Sequence, residues 1–170
     1  MNDRLRSAGV IALVVLMDRL TKIYIRGAFT AADLKPVIPG FFNIVHTENP
    51  GAAFGMLADS PGAWRGLLLV GVSLAVMIVI GVMLWKPPAG MTSAWVRTGL
   101  ALVFGGALGN LWDRIFRGTV TDFLQFFFGS YEFPSFNAAD SAITIGAALL
   151  LIDMWRNRKP PAEAMVETQR

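Results

Sequence analysis

The chain has 170 residues, of which 54% are apolar and 16% charged, and its mean hydropathy of +0.52 is too high for an ordinary water-soluble domain. The absence of cysteine excludes disulfides, thiolate metal sites and a cysteine nucleophile, and a single histidine argues against a histidine-rich metal site. Much of the net charge of +3 comes from Arg and Lys at the ends of apolar blocks. We therefore interpret the charge as a sign of membrane topology and not of nucleic-acid binding.

Four apolar blocks have the length of membrane-spanning helices. The first, residues 7–25, contains three charged side chains near its end and can span a membrane only if these charges are satisfied. The second, residues 63–85, has one charge at its edge and is long enough to cross a hydrocarbon core of about 30 Å. Residues 95–112 and 138–155 form the third and fourth blocks, each with tryptophan at an end.

The segments between the blocks predict the rest of the fold. Residues 28–62 contain Pro39-Gly40, a strand-like run and Asn49-Pro50-Gly51, which predict a small β-rich flap on the outer face of the membrane. Residues 114–136 carry a run of aromatic side chains that is costly to expose to water, so we expect them to lie in the membrane interface. Residues 160–170 lack apolar periodicity and are expected to form a disordered cytoplasmic tail.

The fold class that these elements predict is a mainly α, integral membrane protein with one domain over residues 1–159. It has four transmembrane helices, an extracytoplasmic β-rich flap and an interfacial segment between the third and fourth helices. Four spans place both termini on the same side of the membrane, and a small excess of basic residues favours the cytoplasm. The polar clusters can then all be placed toward the outer side.

Two of these clusters lie in the first and third blocks. Asp18 and Lys22 are four residues apart and can pair on one helix face, so a helix-end ion pair and a direct site role both remain open. The neighbouring Arg19 points elsewhere and has no evident partner, and we interpret it as a topology or headgroup residue. Asn110 and Arg114 are also four apart and offer donors and an acceptor suited to an extended peptide. The glycines before them, taken alone, favour simple helix packing, and it is the Asn and Arg side chains that favour a substrate site.

Asp122 and Asp140 lie near the neighbouring ends of the third and fourth blocks. If two carboxylates lie close together they share a proton, and one can act as a base toward water while the other acts as an acid toward a carbonyl. Taken singly, each has a simpler explanation. Asp140 can stabilise a helix N-terminus, and Asp122 can pair with Arg114 or Arg117.

Five blocks of sequence carry a resemblance to a known family. They are Asp18-Arg-Leu-Thr-Lys22, Asn49-Pro-Gly-Ala-Ala-Phe-Gly55, Gly105-Gly-Ala-Leu-Gly-Asn-Leu-Trp-Asp-Arg114, Val120-Thr-Asp-Phe123 and Phe133-Pro-Ser-Phe-Asn-Ala-Ala-Asp140. In content, order and spacing the chain resembles the bacterial lipoprotein signal peptidases, the type II signal peptidases. The resemblance extends from the first block to the fourth and omits only the termini.

The resemblance implies an inner-membrane aspartic endopeptidase that cleaves prolipoproteins just before their diacylglyceryl-modified cysteine. It implies that Asp122 and Asp140 are catalytic, near the extracytoplasmic face. It also implies that further residues bind substrate or support the site: Asn110, Arg114, Asn137, Asn49, Gly51, Asp18 and Lys22. The expected partners are prolipoproteins and membrane lipid, without nucleic acid; no metal or organic cofactor is required, and a monomer is expected.

A small proton-coupled transporter subunit is the main alternative, because intramembrane Asp, Lys and Arg also mark ion relays. A transporter predicts polar residues across the whole membrane, whereas the centres of the second and fourth blocks carry no ionisable group. A metal-dependent lipid-headgroup transferase would need a tighter carboxylate cluster than Asp113, Asp122 and Asp140 provide. The pattern favours a site reached from the membrane surface over a conduit, and the peptidase that the resemblance implies is expected to have an apolar groove that opens sideways to lipid.

Overall fold

The computed structural model describes residues 3–31, 33–51, 64–88 and 93–157. Within them the chain forms four helices and four strands, in the order α1 (Asp3–Ala28), β1 (Leu34–Ile38), β2 (Phe42–Asn49), α2 (Trp64–Trp85), α3 (Ala94–Arg117), β3 (Val120–Phe128), β4 (Tyr131–Phe136) and α4 (Ala138–Arg156). The predicted tail at residues 160–170 and the part of the predicted flap at residues 52–62 lie outside the described residues.

Each predicted apolar block corresponds to a helix, but α3 continues well past the predicted end at residue 112. The Ser93 hydroxyl caps its start by accepting a hydrogen bond from the Val96 N–H at 3.1 Å. Gly118 ends the helix in a left-handed conformation with φ 78°, and its N–H donates to the Arg114 carbonyl. The last turns of α3 are polar, so a prediction from apolar length stops before the helix does.

The four strands form one antiparallel sheet in the order β1-β2-β3-β4. The β-rich character predicted for the flap is confirmed in β1 and β2. The segment predicted only as an interfacial aromatic run is instead the hairpin β3–β4, which joins the same sheet. Its aromatic side chains pack on one another across strands, with the Phe126 ring centroid 4.6 Å from Phe42 and 5.7 Å from Phe136.

Glycines bring the helices into close contact around α3. A Cβ on Gly106 would overlap the Ala139 carbonyl oxygen, and one on Gly146 would lie 2.6 Å from the Gly99 carbonyl oxygen. A Cβ on Gly105 would lie 2.9 Å from the Val14 side chain. These contacts confirm that the α3 glycines serve helix packing, and they bring the end of α3 against the start of α4.

Buried side chains divide the bundle into an apolar end and a polar end. Ile80, Val96 and Leu100 form an apolar core near the end of α2 and the start of α3. At the other end of α3, next to the sheet, the largest fully buried side chains are polar or charged: Asp18, Lys22, Asp113, Thr121 and Asn137. Because burying charge is costly unless it is paired, this end is the candidate for a functional site.

Candidate active site

Asp122 in β3 and Asp140 in the first turn of α4 line the same groove, whose volume is about 540 Å³. The walls of the groove are mainly apolar and come from β4 and α4: Phe133, Pro134, Phe136, Ile143 and Ile145. The structure thus brings together the two carboxylates that the sequence placed 18 residues apart. An apolar groove with a few convergent polar groups is typical of a binding or active site.

Asn137 connects the two carboxylates. Its Nδ2 donates to Asp122 Oδ1 at 2.7 Å, and its Oδ1 accepts from the Asp140 N–H at 3.0 Å. In return Asp140 Oδ2 accepts from the Asn137 N–H at 3.2 Å, which completes a capping box at the start of α4. Asp140 therefore stabilises the N-terminus of α4, which confirms the simpler explanation given from the sequence, and it also lines the groove.

Asp122 is held by amide groups. Asn49 Nδ2 donates to its Oδ2 at 3.0 Å, opposite the bond from Asn137. The alternative of an ion pair with Arg114 or Arg117 is wrong for the described residues, because Arg114 donates to a backbone carbonyl and Arg117 lies 3.8 Å from Glu48. Burial, and then repulsion by Asp140, raise the pKa of Asp122 to about 7, against the effect of the two amide bonds.

Asn110 links α3 to both α4 and α1. Its Nδ2 donates to Asp140 Oδ1 at 2.7 Å, while its Oδ1 accepts from Lys22 Nζ at 2.9 Å and from Asn137 Nδ2 at 3.3 Å. Because the amide oxygen faces two donors, the amide nitrogen is directed at the carboxylate. Asn110 thus fixes the position of one member of the pair.

Arg114 and Asn49 hold the end of β2 against the site. Arg114 Nη2 donates to the Gly51 carbonyl at 3.1 Å, and Asn49 Oδ1 accepts from the Gly51 N–H at 2.8 Å. Through this short turn Asn49 Oδ1 binds the Gly51 N–H while its Nδ2 donates to Asp122 Oδ2. Three of the residues that the sequence singled out therefore act together at one edge of the groove.

A buried charge cluster lies behind Asn110. Lys22 Nζ is 2.9 Å from Asp18 Oδ2 and 3.0 Å from Asp113 Oδ2, which confirms the Asp18–Lys22 pair. The interpretation of Arg19 as unpartnered is wrong, because its Nη1 lies 2.6 Å from Asp113 Oδ1. The partner is 94 residues away along the chain and meets Arg19 only because α1 packs on α3, which no local pattern reveals.

Sequence reasoning did not assign a role to Asp113. A signal was available, since Asp113 follows Asn110 by three residues and both therefore fall on one face of α3. Away from the groove, His46 in β2 contacts the Phe29 carbonyl at 2.9 Å and Glu48 Oε1 at 3.0 Å. Among the residues that the structure describes, no group of three or more His, Asp or Glu side chains is placed to hold a metal ion.

Comparison with known proteins identifies the family. The family model described as "Signal peptidase (SPase) II" matches residues 10–156. The chain is 45% identical over 160 residues to a lipoprotein signal peptidase of Solibacter usitatus (strain Ellin6076), covering 94% of this chain and 96% of that one. It is 45% identical over 148 residues to a lipoprotein signal peptidase of Syntrophus aciditrophicus (strain SB), covering 86% of this chain and 90% of that one. The chain belongs to the signal peptidase II family.

Solved structures agree with this assignment. Two bacterial membrane enzymes determined by the in meso method, at 1.9 and 2.3 Å resolution, superpose with TM-scores of 0.78 and 0.77 at 32% and 31% identity. They cover 90% and 92% of this chain, and 94% of their own chains in each case. Signal peptidase II is an aspartic peptidase family, so the protein is a peptidase, and the transporter alternative is not supported.

Proposed function

We propose that Asp122 and Asp140 are the catalytic pair with which this signal peptidase II cleaves prolipoproteins directly before their diacylglyceryl-modified cysteine. The family removes signal peptides from prolipoproteins, and the relatives carry that activity in their names. The observation that carries the residue assignment is the shared groove. Two carboxyl groups open into one apolar cavity, and amide groups of three asparagines orient them.

The chemistry follows from a pair that carries one proton. With the pKa of Asp122 raised to about 7, the pair retains a proton near neutral pH. The ionised carboxylate removes a proton from a water molecule while the oxygen of that water attacks the scissile carbonyl carbon. The protonated carboxyl group gives its proton to the carbonyl oxygen. The resulting tetrahedral diol collapses, the C–N bond breaks, and a proton passes to the leaving amine.

The groove suits a peptide whose lipid anchor remains in the bilayer. Phe133 of β4 and Ile143 of α4 contribute apolar walls to the cavity that holds the carboxylates. A groove of this kind limits the water that reaches the scissile bond and lets acyl chains lie along the helices. Arg114 holds the end of β2 beside the carboxylates through the Gly51 carbonyl.

We further propose that all four helices cross the inner membrane of the bacterium as a monomer, with both termini in the cytoplasm. Helices α2 and α4 are long and apolar enough to cross a membrane. Helix α1 carries charges, but Asp18 and Lys22 are fully buried, while Leu13 and Leu16 are among its exposed side chains. These two charges therefore face the bundle, and the apolar side of α1 faces outward, as lipid requires. The groove then lies near the extracytoplasmic face, on the side of the sheet.

The proposal is tested by mapping the products formed from two forms of one prolipoprotein. The purified protein is incubated in detergent with the diacylglyceryl-modified form and, separately, with the unmodified form, and the products are identified by mass spectrometry. We expect a single cut before the modified cysteine and no cut in the unmodified form. Cleavage at another bond, or equal cleavage of both forms, contradicts the proposed specificity.

A further inference from the structure

Asp113 is the centre of a charge cluster that the proposed catalytic mechanism does not use. Its carboxylate is fully buried and faces three cations. Oδ1 lies 2.6 Å from Arg19 Nη1 and 3.7 Å from Arg26 Nη1, and Oδ2 lies 3.0 Å from Lys22 Nζ. Since burying an ion pair gives little net stability against well-packed apolar residues, such a cluster calls for an explanation beyond stability.

Lys22 transmits the position of Asp113 to the groove. Lys22 Nζ donates a hydrogen bond to Asn110 Oδ1 at 2.9 Å, and it forms ion pairs with Asp18 Oδ2 at 2.9 Å and Asp113 Oδ2 at 3.0 Å. The two carboxylates hold the ammonium group next to the Asn110 oxygen. Because that oxygen faces the ammonium group, the Asn110 nitrogen faces Asp140. A flipped amide would present its oxygen to that carboxylate, which is repulsive.

A second contact reaches the other carboxylate. Arg26 Nη1, beside Asp113, donates to Thr121 Oγ1 at 3.0 Å. Thr121 is fully buried in β3 and directly precedes Asp122. Asp113 therefore lies at the point where helix α1, helix α3 and strand β3 are joined, with a link to each member of the pair.

We propose that Asp113 is a positioning residue for the peptidase reaction, acting through Lys22 on the Asn110 amide and through Arg26 on the strand that carries Asp122. The proposal rests on the catalytic assignment of Asp122 and Asp140. It assigns the adjacent Arg19 the role of a third cation that holds the Asp113 carboxylate. Asp113 itself touches neither substrate nor reacting atoms.

The test compares Asp113→Asn with Asp153→Asn, a matched change at the opposite end of the bundle. Asp153 is also buried in a helix, where it accepts from Ser93 Oγ at 2.6 Å. We expect Asp113→Asn to lower kcat by about 10- to 100-fold with KM nearly unchanged, since the pair is misplaced and the groove is intact. Asp153→Asn leaves both constants unchanged. Wild-type kcat in folded Asp113→Asn, or an equal loss in both variants, overturns the proposal.

A double-mutant cycle separates positioning from general stability. If Asp113 acts largely through Lys22, Asp113→Asn costs much less kcat in a Lys22→Met background than in the wild type. Independent losses that multiply in the double variant overturn the pathway. Should Asp113→Asn not fold, Arg19→Gln replaces it, because it removes a partly exposed partner of the same carboxylate. It is expected to lower kcat several-fold at constant KM, and an unchanged kcat again overturns the proposal.

A readout without substrate distinguishes failure of this proposal from failure of the proposed function. The pKa of Asp122 is followed by carbon NMR of its labelled carboxyl group in the wild type and in Asp113→Asn. When the negative charge of Asp113 is removed, more of the positive charge of Lys22 and Arg26 acts on Asp122. The pKa of Asp122 is therefore expected to fall. An unchanged titration overturns the proposed coupling even if the wild type proves unable to cleave prolipoprotein.

Discussion

The members of the proposed pair are oriented by amides, and this choice of residue has a chemical consequence. Asn49 and Asn137 donate to Asp122, and Asn110 donates to Asp140. An amide fixes a carboxylate in space without bringing a full positive charge to it. A neighbouring Arg or Lys would instead favour loss of the proton that the pair must keep. Lys22 reaches this network through the Asn110 amide oxygen.

The raised pKa of Asp122 predicts how stability depends on pH. Its folded-state pKa of about 7 lies above the ordinary value of 3.8, so the folded protein binds more protons than the unfolded chain between these values. Stability therefore falls as pH rises from about 4 to about 7. Asp122→Asn removes this dependence. We expect the variant to gain roughly 2 kcal/mol relative to the wild type between pH 5 and pH 8, as a rise in relative Tm.

Asp33→Asn is the control for this measurement. Hydrogen bonds from Thr30 lower the pKa of Asp33, which is fully exposed. Its variant is therefore expected to show no gain in relative Tm at high pH. If Asp122→Asn and Asp33→Asn respond alike to pH, the environment assigned to Asp122 is wrong.

Asn137 has two roles that a pair of substitutions separates. Asn137→Ala removes both the cap of α4 and the bond to Asp122, and is expected to cost about 1 kcal/mol of stability and about 100-fold in kcat. Asn137→Ser retains a capping oxygen but not the reach of the amide. We expect Ser to restore the Tm and not the kcat. Recovery of both in the Ser variant would show that Asn137 serves the helix alone.

At the scale of elements, local pattern predicted the helices better than the sheet. The apolar blocks identified all four helices because the signal for each lies within its own residues. The pairing of β2 with β3 joins residues about 80 positions apart, such as Phe42 and Phe126, and no turn signal connects them. Aromatic residues that the sequence predicted only as an interfacial run pack on one another across strands.

Helices α3 and α4 pack closely where Gly99 meets Gly146. A Cβ on Gly146 would lie 2.6 Å from the backbone oxygen of Gly99, which cannot move independently of α3. We expect Gly146→Ala to lower stability by roughly 1 to 3 kcal/mol by forcing the helices apart, and to lower kcat because Asn110 of α3 must reach Asp140 of α4. Thermal unfolding and steady-state kinetics of the variant measure both effects.

Gly71→Ala is the matched control, since a Cβ there has nothing within 4 Å of it. At this exposed position in the interior of α2, Ala is expected to leave stability unchanged or to raise it by up to about 1 kcal/mol, with activity unchanged. A Gly146→Ala protein as stable and active as Gly71→Ala would contradict the close packing of α3 on α4.

At the scale of the whole molecule, polarity is distributed along the bundle. One end has the apolar core around Leu100, and the other has the buried charges and the groove beneath the sheet. The sequence predicted that polar residues would gather at one end, because Asp18, Asn110 and Asp140 fall near the ends of their apolar blocks. It could not predict the Arg19–Asp113 contact, since this depends on the rotation of α1 against α3.

The central claim is that Asp122 and Asp140 together hydrolyse the peptide bond. The most direct measurement is cleavage of a diacylglyceryl-modified prolipoprotein in detergent, with a chelator present, by the wild type, Asp122→Asn and Asp140→Asn. Asn preserves the shape of Asp and removes its acid–base chemistry. We expect cleavage by the wild type and a loss of at least about 1,000-fold in each folded variant. Full activity in either variant, or wild-type cleavage abolished by the chelator, would contradict the account.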